Sequence, residues 1–139
     1  MKALFMMILM VLFALPLAAR DGGNPMQISV HANGNTTLFQ LNDSPAAKAL
    51  YDQLPLSIEV EDYGSNEKIF YPPKKLATEG TPPADAKAGT LAYYAPWGDV
   101  VMFYRAFGKA GGLYELGHAL SGAEHIQSMS GTVTIEKSR

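Results

Sequence analysis

A chain of 139 residues that is 47% hydrophobic and 17% charged is sized for one domain with its own core and is too apolar to remain disordered. Its formal charge of −2 is scattered, with Lys74-Lys75 the one adjacent basic pair, so no basic patch attracts a phosphate backbone and nucleic-acid partners are excluded. Cysteine is absent, which excludes a disulfide scaffold, thiol redox chemistry and a cysteine nucleophile.

The first segment reads as a targeting signal. Lys2 precedes an apolar run from Ala3 to Ala19 that is interrupted by Pro16 and ends on Ala18 and Ala19, the order of a charged region, an apolar stretch and a cleavage site. Residues 1–19 are therefore predicted to be a signal peptide and the protein to be exported, periplasmic or extracellular. A spanning helix needs about 20 apolar residues, so membrane contact is expected only if this segment stays uncleaved as an anchor. Without a cysteine to lipidate, a bacterial lipoprotein is excluded. Cleavage would remove Lys2 and move the formal charge from −2 to −3. It would also leave only Met26, Met102 and Met129 of the seven methionines, too few for a Met-based metal carrier. Residues 20–25, rich in Gly, Asn and Pro, form a linker, and residues 26–139 form the domain.

Residues 26–31 and 36–41 are strand-like runs around Asn33-Gly34, a strong hairpin signal. Ser44 stands where an N-cap belongs and Pro45 at the first helical position, which predicts one helix of about ten residues within 43–54, with Ala46, Ala49, Leu50 and Leu54 on one face. After Pro55, Leu56, Ile58 and Val60 alternate with Ser57, Glu59 and Glu61, the pattern of a half-buried strand with a wet acidic face. A strand over 68–71 follows, stopped by Pro72-Pro73. Residues 77–88 are polar, Pro-rich and without period, which predicts a surface loop. Strands are then predicted over 89–94, 99–107, 113–120 and 131–136, with a helical turn within 121–129. Seven or eight short strands, one main helix and no β-α-β alternation predict a mainly β fold, a closed antiparallel barrel.

The segment 93–107 holds Tyr93, Tyr94, Trp97, Phe103, Tyr104 and Phe107, six of the fourteen aromatics in the chain. Period 2 from Asp99 places Val101, Phe103 and Arg105 on one face and Val100, Met102 and Tyr104 on the other. A barrel strand needs only its inner face apolar, so the second apolar face must pack under other chain, line a groove or meet a partner. The competing readings are an aromatic core and a groove floored by aromatics with Arg105 at its rim. Other chemistry lacks support. His31, His118 and His125 have none of the short spacings that make a zinc site legible, with His118 read as a strand residue and His125 as exposed on a helical turn. No nucleophile elbow, P-loop or dinucleotide fingerprint is present, so neither a metal nor a cofactor is expected.

The run "GTLAYYAPWGDVVMFY" followed by "LYELGHALSGAEHIQSM" is similar to the cyclophilin pattern. The chain most resembles the small bacterial cyclophilin-like family, with its N-terminal hairpin, helix ending in Leu-Pro, Asn-Glu-Lys strand followed by prolines, and Gly-Asp-x-x-x-Phe-Tyr hairpin. The resemblance covers residues 26 to 137 and implies an eight-stranded cyclophilin-like barrel with one main helix. Cyclophilins isomerise X-Pro bonds with an arginine of a Phe-His-Arg motif and a glutamine of a Gln-Gly-Gly-Asp motif. This sequence has neither. Its corresponding strand reads "NEKIFYPPKKL", which leaves Arg105 and Lys68 as the candidate catalytic cations and Tyr93, Tyr94, Trp97 and Phe103 as candidate ligand-binding residues. Three functions remain open: a noncatalytic domain holding a small ligand or peptide, a weak peptidyl-prolyl isomerase, and an oligomeric scaffold whose second apolar face is the interface.

Overall fold

The computed structural model describes residues 25–138. The predicted signal peptide, residues 20–24 of the linker, and Arg139 lie outside the described residues. The elements run β1 (Gln27–Ala32), β2 (Asn35–Leu41), α1 (Pro45–Tyr51), β3 (Leu56–Tyr63), β4 (Glu67–Phe70), β5 (Thr90–Tyr94), β6 (Asp99–Phe103), β7 (Leu113–Ser121), a 3-10 helix (Ala123–Ser128) and β8 (Gly131–Ser138). Every strand pairs antiparallel with two neighbours in the closed order β1-β2-β7-β5-β6-β4-β3-β8. The predicted mainly β barrel with one main helix is the observed fold.

Local chemistry explains the joints. Asn33 and Gly34 both take positive φ, 54° and 79°, as a two-residue hairpin turn of the I′ kind requires. Ser44 caps α1, its hydroxyl accepting from the Ala47 N–H at 3.2 Å, and Pro45 starts the helix where no N–H is needed. Ala46, Ala47 and Leu50 of α1 are fully buried in the main core. That core fills the barrel with Ile28, Val30, Phe39, Leu91, Tyr93, Met102, Leu116 and Ile135, and Ile126 of the 3-10 helix joins it. The pairing of β2 with β7 shifts register between Leu38 and Phe39. Nearby, Gly117 lets the strands approach so closely that a Cβ there would lie 2.1 Å from the Gln40 carbonyl oxygen.

Strand alternation also produces a second layer. On β6, Val100 and Met102 face the barrel interior, whereas Val101 and Phe103 face outward and pack with Ile69, Ala84, Ala86, Ala92 and Leu113. This outer cluster corrects two expectations. Residues 77–88 are irregular as predicted but are not merely a surface loop: Ala84 and Ala86 are buried, the Ala84 N–H donates to the Leu113 carbonyl, and the Ala86 N–H donates to that of Gly108. The strand predicted to run to Phe107 stops at Phe103, because the chain beyond it turns away to pair with that loop. The Phe107 N–H donates to the Ala86 carbonyl at 2.9 Å.

Candidate functional site

The outer face of β4, β6 and β5 is only partly roofed, and the uncovered part is a cleft of about 240 Å³. Alternation decides who faces it. Glu67 on β4, Asp99, Val101 and Phe103 on β6, Tyr94 on β5 and Leu113 on β7 all lie on the outward side. Tyr63 from the end of β3, Trp97 from the β5–β6 turn, and Phe107 and Ala110 from the loop before β7 complete the lining. Trp97 is held out by a tight turn in which the Gly98 N–H donates to the Tyr94 carbonyl at 2.8 Å. Gly98 has φ of 75°, a left-handed conformation that glycine adopts without strain.

The aromatic side chains form two walls. Trp97 meets Tyr63 edge to face at 5.0 Å and Tyr94 at 5.7 Å, while Phe103 stacks on Phe107 at 5.5 Å, separations at which ring quadrupoles attract. Tyr63, Trp97 and Phe107 are half exposed and form the rim. Phe103 is buried and belongs to the floor.

Two carboxyl groups sit among these rings. Asp99 is only 2% exposed, and its Oδ1 has no hydrogen-bond partner. Desolvation pushes its pKa up to about 6, against a smaller lowering from its own backbone N–H. Partial burial raises the Glu67 pKa, and the negative charge of Asp99 raises it further. An apolar cleft with two crowded carboxyls, one of which has an oxygen without a partner, is suited to a group that donates hydrogen bonds or carries positive charge.

Of the residues singled out from the sequence, Tyr94, Trp97 and Phe103 line this cleft and Tyr93 does not. Tyr93 lies on the opposite face of β5, buried in the barrel, where its hydroxyl accepts from the Leu76 N–H at 3.1 Å. Lys68 is likewise on the far side of its strand, in register with Met102 of the core, and is ion-paired with Asp62. Arg105, expected to continue the face of Val101 and Phe103, does not do so. Because β6 ends at Phe103, it instead donates to the Ser65 carbonyl, with its guanidinium 5.3 Å from the centre of the Tyr104 ring. Neither candidate cation is among the residues lining the cleft.

Sequence reasoning missed Glu67, Asp99 and Tyr63 as site residues. The available signal was the parity of Asp99 with Val101 and Phe103, but the partnership with Glu67 and Tyr63 depends on register between distant strands. His118 is exposed in β7, and His125 is partly buried rather than exposed. Among the described residues no three His, Cys, Asp or Glu side chains converge on a possible metal site, and no described helix is long and apolar enough to cross a membrane. A second, wider depression of about 800 Å³ over residues 85–90, Ala106, Gly108, Glu115 and residues 117–119 has no Phe, Tyr or Trp in its lining.

Comparison with known proteins agrees with this architecture. No curated protein matches the chain. The solution structure of the hypothetical protein AF2241 from Archaeoglobus fulgidus is similar with a TM-score of 0.64 at 15% identity, over 88% of this chain and 100% of that one, a likeness of fold. Residues 30–136, from the first hairpin to the last strand, match the model of the cyclophilin-like family. The eight-stranded barrel and this match together establish that the chain belongs to the cyclophilin-like family.

Proposed function

We propose that this is an exported binding domain that holds a small ligand or a peptide segment in the aromatic cleft and does not accelerate prolyl isomerisation. The observation that carries the reading is the composition of the cleft: five aromatic rings and two carboxyl groups, with no lysine or arginine among the described lining residues. Rotation about an X-Pro bond must overcome about 18–20 kcal/mol of amide resonance. A cation donating to the prolyl amide weakens that resonance in the twisted state, and a carboxylate does not. Aromatic burial of a proline ring stabilises ground and twisted states alike, which tightens binding without raising kcat. Arg105 and Lys68, engaged with Ser65 and Asp62, would have to leave those partners to serve as the electrophile.

Trp97 is the one tryptophan of the chain and stands at the rim, so ligand entry should change its fluorescence. A titrated panel of small amines, alcohols, aromatics and short peptides is expected to contain members that shift its emission saturably, and to lose that binding in Phe103→Leu. A protease-coupled assay on an Ala-Pro peptide is expected to give the uncatalysed rate for the parent, Arg105→Ala and Lys68→Ala alike. A parent rate above background that is abolished by either substitution would replace the binding reading with the isomerase one.

A further inference from the structure

Resting on that binding reading, we infer that the cleft selects a primary alkylammonium group, carried either by a free amine or at the end of a peptide side chain. Three independent features converge on this chemistry. Asp99 is buried with an unpartnered carboxylate oxygen, an arrangement in which native structures usually supply a donor. Glu67 lines the same cleft, its proton affinity raised by partial burial and further by the negative charge of Asp99, so one positive charge in the cleft relieves both. The walls are the faces and edges of Tyr63, Tyr94, Trp97, Phe103 and Phe107, and such rings attract a cation within about 6 Å of their centres.

The alternatives fit less well. Calcium takes six to eight oxygen ligands, and the cleft offers two carboxyl groups among hydrocarbon. An anion would meet two carboxylates and no lysine or arginine among the described lining residues. A neutral apolar ligand would be satisfied by the rings but would leave Asp99 Oδ1 buried and unpartnered. The cleft, at about 240 Å³, takes a group of side-chain size and leaves the remainder of a peptide outside.

Proton linkage follows from the same placement. The titratable and charged groups around Asp99 are Glu67 from β4, Tyr63 from β3, Tyr94 from β5, Tyr71 just after β4, on which the charge of Glu61 from β3 also acts, and Lys75, whose side chain passes Gly98. An ammonium ligand stabilises ionised Asp99, so binding near pH 6 should release a proton, and affinity should weaken as pH falls below about 6.

The test uses the chain lacking residues 1–19 and four probes followed by Trp97 fluorescence and calorimetry: n-butylammonium, N-acetyl-lysine methylamide, n-butanol and tetramethylammonium. The first two are expected to bind and n-butanol to bind at least about tenfold more weakly. Tetramethylammonium, which keeps the charge but has no N–H, should fall between them. Stronger binding of the lysine amide than of butylammonium would identify a peptide as the source, and the reverse would identify a free amine. Asp99→Asn and Glu67→Gln should each weaken butylammonium about tenfold or more and n-butanol, which has one O–H to donate and no charge, by a smaller factor. Equal affinity for butylammonium and butanol, or undiminished ammonium binding in both variants, overturns the ammonium inference and leaves the binding reading standing. Failure of these probes and of the wider panel alike overturns both.

Discussion

Asp99 combines two roles that are usually separate, closing the β5–β6 turn and lining the cleft floor. Its folded pKa, about 6, lies above the ordinary carboxylate value, so the folded state holds its proton more tightly than the unfolded chain. The associated stability is fully present below about pH 4 and is lost as pH rises through about 6. Each tenfold gain in proton affinity is worth about 1.4 kcal/mol, so a roughly hundredfold tighter proton corresponds to about 3 kcal/mol. Asp99→Asn, neutral and nearly isosteric, is therefore expected to be about 2 kcal/mol more stable than the parent at about pH 8, with the difference closing toward about pH 4. Urea melts at the two pH values check this, and a pH-independent difference would show that Asp99 does not titrate in this window. This residue also marks where the sequence was opaque. Gly98-Asp99 reads as turn chemistry, and nothing local reveals that Asp99 shares a cleft with Glu67, 32 positions earlier. Tyr94, Trp97 and Phe103 were legible because aromatics crowd one segment. Tyr93 was not separable from Tyr94 until strand parity placed it in the core.

At the scale of elements, the hairpin, the capped helix and the alternating β3 were readable because turn chemistry, capping and period 2 are local signals. The end of β6 was not, since Tyr104 and Phe107 are strand-favouring aromatics whose backbone N–H groups leave the sheet for distant partners, Asn66 for Tyr104 and Ala86 of the 77–88 loop for Phe107. Contact between β2 and β7 is just as non-local. The missing Cβ of Gly117 is what admits the Gln40 backbone. Gly117→Ala would set a methyl carbon 2.1 Å from a carbonyl oxygen unless the strands separate. It is expected to destabilise the fold by about 3 kcal/mol or more, measured as a lower denaturant midpoint. A loss below about 0.5 kcal/mol would mean that the two strands yield freely there.

For the whole molecule, closure depends on β8, which pairs with β1 on one side and β3 on the other. Deleting residues 131–139 would remove two ladders and the core side chains Val133 and Ile135 and leave two open edges. The truncated chain is expected to lose native near-ultraviolet circular dichroism and amide dispersion, and to recover neither on cooling. Retention of both would show that seven strands suffice. Barrel class and strand number were legible from regular strand spacing, whereas the cleft was not, because it is a product of closure and of loops crossing the outside. The single wall of β6 between packed interior and open recess has an evolutionary consequence. If the recess binds as proposed, drift among Trp97, Phe107 and Ala110 would exchange one guest for another while the architecture underneath stays as it is, so homologues with superimposable skeletons are expected to diverge first in what they recognise.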